Sequence, residues 1–133
     1  MGFLYVVLGI VGGFFALMIG MRLLIQLKSA KMKGKTAPSL AGKPGKWIQK
    51  GKNALFYFYS PSCGACAAMT PVVKNLAKSN DGVFPIDISR DMDTARKFNV
   101  MATPTLVVVK NKIVEDITIG PQPPATIEGM LAS

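Results

Sequence analysis

At 133 residues the chain has room for one small domain and an appendage. Half of its residues are hydrophobic, its formal net charge is +9, and it holds two cysteines and no histidine. One copy therefore cannot supply four nitrogen and sulfur ligands to a zinc ion, and no Ser-His arrangement exists.

The charge is unevenly spread. Residues 1–46 carry seven basic side chains and no acid, whereas residues 47–133 carry nine basic and seven acidic ones. The excess belongs to the N-terminal arm, and the remainder is nearly balanced.

Phe3 to Met21 is nineteen residues without a charge. That approaches the roughly 20 apolar residues that span a bilayer. Arg22 can snorkel, and Leu23-Leu24-Ile25 extends the run. A cleaved signal peptide would need a basic start, a shorter core and a small-x-small cleavage site, whereas the start has no Lys or Arg and no convincing site follows. Residues 1–27 are therefore expected to form a retained, single-pass transmembrane anchor. Gly9, Gly13, Ala16 and Gly20 fall on one helix face, which would let another transmembrane helix approach closely. Glycine and alanine are also simply common in membrane helices, so both readings stand.

Residues 28–46 are rich in Lys, Gly, Ser, Ala and Pro without apolar periodicity, and are expected to be a basic, flexible linker. Lys28, Lys31, Lys33 and Lys35 lie where anionic lipid headgroups would attract them. No arginine or aromatic interleaves them, so nucleic acid is not an expected partner. Basic residues beside a span stay on the cytoplasmic side, which puts the following domain in the cytoplasm.

The folded domain is expected over residues 47–133. Trp47-Ile48-Gln49 makes a short helix or lead-in, and Asn53–Tyr59 a buried central strand. Cys63–Ser79 makes a helix kinked at Pro71. Val83–Ile88 is a strand weakened by Pro85, and Asp91–Phe98 a short helix with an acidic start. Leu106–Lys110 and Ile113–Ile119 form a hairpin around Asn111-Lys112, and Ala125–Leu131 a closing helix. This order suits an α/β fold, a mixed sheet with helices on both faces.

The chemistry concentrates at Cys63-Gly64-Ala65-Cys66, after the aromatic run Phe56–Tyr59 and a Ser/Pro turn. Residues three apart on a helix share a face, with Cβ atoms about 5–6 Å apart, and a modest side-chain rotation closes a disulfide. Unpaired N–H groups and the positive helix end favour a thiolate at such a place. Strand, turn and Cys-x-x-Cys describe a site for thiol–disulfide exchange. Inert core cysteines or half of a zinc site are the bland alternatives. Gly64 and Ala65 are small and leave a sulfur approachable, which weakens the inert reading.

The segment resembles the active-site stretch of thioredoxin-like oxidoreductases. Pro71, five residues past Cys66, stands where that family carries its helix proline. Met101-Ala102-Thr103-Pro104-Thr105 resembles its cis-proline loop, and Ile119-Gly120 its late glycine. The resemblance covers residues 47–133 and implies a short version of the thioredoxin-like fold, with little chain left for an extra N-terminal strand and helix. It implies a nucleophilic Cys63, a resolving Cys66, and a Thr103-Pro104 loop beside them that pairs with substrate. It also implies protein disulfide or dithiol substrates, an upstream reductant, and neither cofactor nor metal. The family usually has Trp before the first cysteine and Pro before the second, where this chain has Ser62 and Ala65. Tyr57 stands where the family has a buried acid, which puts deprotonation of Cys66 in question. Membrane-tethered members often face the periplasm or exterior, against the charge argument. The alternative function is a non-catalytic docking subunit of a membrane complex.

Overall fold

Five of the six residues in Ala54–Tyr59 (β1) are buried, and their side chains divide between two cores. Alternation along a strand sends successive side chains to opposite faces. Ala54, Phe56 and Phe58 enter one apolar cluster with Ile48, Ala95 and Phe98, and Leu55 and Tyr57 enter another with Met69, Val73 and Ile127. A strand buried on both faces needs helices above and below it, and the rest of the chain supplies them.

A computed structural model describes residues 1–132, apart from the side chains of residues 28–30 and 132. After β1 come a 3-10 turn at Gly64–Cys66, helix α3 at Met69–Ser79, strand β2 at Val83–Asp87, helix α4 at Met92–Lys97, strands β3 at Thr105–Lys110 and β4 at Ile113–Ile119, and helix α5 at Pro124–Ala132. Before β1 stand α1, Gly2–Ala30, and α2, Gly42–Gln49. The sheet order is β2-β1-β3-β4, with β1 and β2 parallel and the other pairs antiparallel. This is the thioredoxin-like α/β arrangement expected from the sequence. Pro85 sits opposite Tyr57 on β2, an edge strand, where a missing N–H is tolerated.

The β3–β4 hairpin closes through Asn111 and Lys112, with φ of 49° and 68°. Positive φ at both central residues is the primed turn whose twist matches the flanking strands. Asp91 caps α4 by accepting the Thr94 N–H at 3.1 Å.

The expected helix over Cys63–Ser79 is divided. Cys63 is extended, Gly64–Cys66 form the 3-10 turn, and α3 starts only at Met69. Pro71 explains the break. It has no N–H for the Ala67 carbonyl, but within the first turn of a helix starting at Met69 none is needed.

Residues 28–46 are not the featureless connector that their composition implied. Met32 is buried among Ile48, Phe98 and Val114. Gly34 donates its N–H to the Val114 carbonyl at 2.7 Å, Val114 donates back to Lys35 at 2.9 Å, and Ala37 donates to Lys112 at 2.8 Å. Thr36 bridges Ile113, so this stretch lies along the outer edge of β4. The helix α2 begins at Gly42, earlier than the Trp47 lead-in expected. Pro44 falls in its first turn, and a side chain at Gly45 would collide with the Leu40 carbonyl. Leu40 and Trp47 complete the packing against the core.

Helix α1 is different in kind. Residues 2–27 are apolar on every side except at Arg22 and Gln26, bury almost nothing, and are long enough to cross a membrane. At 1.5 Å per residue they extend about 39 Å.

Candidate active site

The two cysteines lie at the C-terminal end of β1. Ser60 and Pro61 turn the chain, and Cys63 donates its N–H back to the Ser60 carbonyl at 3.1 Å. Cys66 donates to the Cys63 carbonyl at 3.2 Å, closing a tight turn over Gly64 and Ala65. This brings the Cα atoms of Cys63 and Cys66 to 5.3 Å, and the two are joined as a disulfide. Their environments differ. Cys66 is 1% exposed, whereas Cys63 is half-buried and opens to solvent. Nothing lies near the position a Gly64 side chain would take, so the approach over the turn is clear.

Tyr57 lies below the turn. Its hydroxyl donates to the Cys66 carbonyl at 3.3 Å and shares a 2.8 Å hydrogen bond with the Thr70 hydroxyl. The Thr70 hydroxyl donates to the same carbonyl at 2.9 Å. Burial pushes the Tyr57 phenol above its ordinary pKa, partly offset by the Thr70 hydrogen bond. It is therefore a neutral phenol at physiological pH that anchors the turn. Thr70 was not singled out from the sequence, since a hydroxyl one helical turn past Cys66 looks like ordinary helix surface.

A cavity of about 500 Å³ opens beside the disulfide, lined among others by Cys63, Cys66, Thr70, Lys74, Asp87 and Arg90. Asp87 accepts from the Ser89 hydroxyl at 2.6 Å and from the Ser89 N–H at 2.9 Å, and Arg90 Nε lies 3.9 Å away. The Ser89 hydrogen bonds, with Arg90 adding to them, hold the Asp87 carboxyl below the usual range. Lys74 extends over the Tyr59 ring at 5.3 Å. The site thus keeps one carboxylate and two cations, set to one side of the cysteines.

The Thr103–Pro104 peptide bond is cis, and Pro104 is buried. Thr105 sits opposite Phe58, which brings this loop to the same end of the sheet as the cysteine turn. Gly120, at φ 98°, donates its N–H to the Pro104 carbonyl at 2.9 Å. Only glycine takes that conformation freely, so the late glycine holds the proline loop. Pro71 is exposed at the start of α3. Gly9, Gly13, Ala16 and Gly20 stand apart on α1, far along the chain from this constellation, with nothing packed over the three glycines. Among the described residues no group of three or more His, Cys, Asp or Glu is placed to hold a metal ion.

Comparison with known proteins agrees with this geometry. The thioredoxin family model matches residues 45–133. The thioredoxin of Staphylococcus saprophyticus is 39% identical over 79 residues, covering 57% of this chain and 75% of that protein. The thioredoxin of Staphylococcus haemolyticus is 36% identical over 87 residues, covering 63% of this chain and 83% of that protein. Among solved structures, the reduced Schistosoma mansoni thioredoxin pre-protein superposes with a TM-score of 0.55 at 30% identity, over 65% of this chain and 84% of that one. Mitochondrial thioredoxin 3 of Saccharomyces cerevisiae, in its oxidised form, gives a TM-score of 0.55 at 27% identity, over 66% and 85%. With a cysteine pair on a turn after the central strand and a model match across two thirds of its length, the chain belongs to the thioredoxin family and is a thiol–disulfide oxidoreductase.

Proposed function

We propose that the chain is a membrane-tethered reductant of protein disulfides that works through Cys63 and Cys66. The supporting observation is the unequal exposure of the pair: one sulfur opens to solvent and the other is enclosed. In the reduced enzyme, the Cys63 thiolate attacks one sulfur of a substrate disulfide. The substrate S–S bond breaks, and its far sulfur leaves as a thiolate that takes up a proton. Cys66 then loses its proton and attacks Cys63 Sγ. The second substrate sulfur departs, and Cys63–Cys66 is left as the disulfide. Two electrons have passed to the substrate, and an upstream dithiol reductant restores the enzyme. Thr103 and Pro104 offer the adjoining backbone edge for an extended substrate segment. Gly64 and Ala65 leave that approach unobstructed.

Helix α1 holds this domain at the bilayer, and the stripe Gly9, Gly13, Ala16 and Gly20 is the face on which another transmembrane helix would pack. The charge after the span favours a cytoplasmic domain.

Substitution of each cysteine in the detergent-solubilised full chain tests the roles. Cys63→Ser abolishes insulin disulfide reduction and traps nothing. Cys66→Ser accumulates mixed disulfides on non-reducing gels, because only the resolving step is lost. Adducts on Cys63→Ser and none on Cys66→Ser would reverse the assignment. No turnover by the unsubstituted chain would favour a docking subunit.

A further inference from the structure

A second cavity, of about 420 Å³, lies away from the disulfide and is lined by Lys31, Arg96, Asn99, Val100 and Met101. Two cations face it and no acid does. Some cations of the domain are ion-paired, as Lys33 is with Asp116, Lys43 with Asp81, Arg90 with Asp87 and Lys97 with Asp93, and others among the described residues, Lys50 and Lys112 included, are not. Among the described residues Lys31 and Arg96 have no such partner. Two like charges gathered on one concavity repel unless an anion comes between them. The Asn99 side chain adds a neutral donor at the same place. Val100 and Met101 supply an apolar wall, and Met101 is 56% exposed, unusual for so large an apolar side chain.

The position of the cavity along the chain narrows the class of anion. The apolar stretch of α1 ends at Leu27, and Lys31 donates its N–H to the Leu27 carbonyl at 3.2 Å. Lys31 is thus one helical turn beyond the apolar end, about 6 Å at 1.5 Å per residue. That is the depth of the polar headgroup layer, about 5–8 Å thick on each side of the hydrocarbon. Lys31 is not free to wander, because its neighbour Met32 is buried in the core and Gly34 is hydrogen-bonded to β4.

We infer that Lys31, Arg96 and Asn99 cradle the phosphate of an anionic phospholipid headgroup, with its glycerol and upper acyl region against Val100 and Met101. The inference rests on the membrane-tethered reading of α1. It assigns α4 and the following loop, not only the lysines after the span, to the bilayer surface. Lipid contact there also reaches Met101, at the start of the loop that leads to Thr105 at the sheet end carrying the cysteine turn.

The full chain, reconstituted in nanodiscs of mixed phosphatidylglycerol and phosphatidylcholine and released into native mass spectrometry, tests this. The expected spectrum shows one retained phosphatidylglycerol and no retained phosphatidylcholine. Lys31→Gln and Arg96→Gln each weaken retention about fivefold, the equivalent of losing one cation at a lipid surface. Lys78→Gln, on α3 across the sheet, leaves it unchanged. Equal retention by all variants overturns the cradle and leaves ordinary annular lipid. Inorganic phosphate alone, protecting the detergent-solubilised chain against heating as well as phosphatidylglycerol does, overturns the lipid assignment in favour of a free anion. Failure of the chain to float with liposomes overturns the tether itself. Floating without selective retention overturns only the cradle.

Discussion

Tyr57 fills the strand position six residues before Cys63 with a neutral phenol, where the family's buried acid was expected from the resemblance. Its hydroxyl is committed to the Cys66 carbonyl and to Thr70, so it supports the turn and takes no proton. Tyr57→Phe should lose about 1 kcal/mol, the net value of a buried hydrogen bond, as read by urea unfolding at pH 7. The difference should change with pH in a fixed direction. Burial raises the folded phenol's pKa above its unfolded value near 10.0. A raised value means the folded state holds the proton longer, so this contribution is complete below pH 10 and is lost as pH rises through the folded value. Above that the phenylalanine variant, with no proton to lose, should resist alkaline unfolding better than the parent. Tyr57→Asp should speed turnover at neutral pH and cost stability, because a carboxylate there can accept the Cys66 proton but is expensive to bury. Stopped-flow rates no faster than the parent's in a folded variant would count against that role.

Among the elements, legibility in the sequence followed the strength of local patterning. The aromatic run of β1, the two-residue turn at Asn111-Lys112 and the acidic start of α4 each carry their signal within a few residues. All three form as the sequence implied. The cysteine turn was legible for the same reason, since spacing alone puts the two sulfurs together. The stretch from Met32 to Gln49 was not, because it folds by contacts distant in sequence. Met32 is a single apolar residue among lysines and glycines, and only β4, about eighty residues later, shows that it is an anchor. Thr70 and Lys74 carry no local signal either, and Asp87 reads only as the end of a strand, since the cavity beside the disulfide joins α3 to the end of β2. Met32→Ala should destabilise the domain by about 2 kcal/mol or more, the usual range for a buried methionine. Gly34→Ala should cost about 1 kcal/mol, because Gly34 has φ of 84° and donates to β4. Both losses should appear as faster amide exchange at Val114, whose N–H is held by the Lys35 carbonyl. Unchanged protection there would mean that the segment contributes nothing to the edge of the sheet.

For the whole molecule, the proposed membrane tether would have its sidedness decided before the domain folds. Residues 1–21 hold no basic side chain, while Lys28, Lys31, Lys33 and Lys35 follow the proposed span within about 15 residues, where basic side chains govern orientation. The side chain of Lys28 lies outside the described residues, but its charge in the nascent chain is a matter of sequence. Lys33 ends up 3.3 Å from Asp116, yet both are well exposed and that pair forms only after insertion, so it does not weaken the bias. The membrane potential and anionic inner-leaflet lipid act in the same direction. Because Met32 is buried five residues past the apolar stretch, a tethered domain would be committed to whichever side the lysines take. A cytoplasmic domain would draw electrons from soluble reductants, whereas an exterior one would need a carrier that passes them across the membrane. Protease added to intact spheroplasts should therefore leave residues 47–133 whole, and lysis should expose them to cleavage. Digestion without lysis would place the domain outside and make a transmembrane electron donor its required partner.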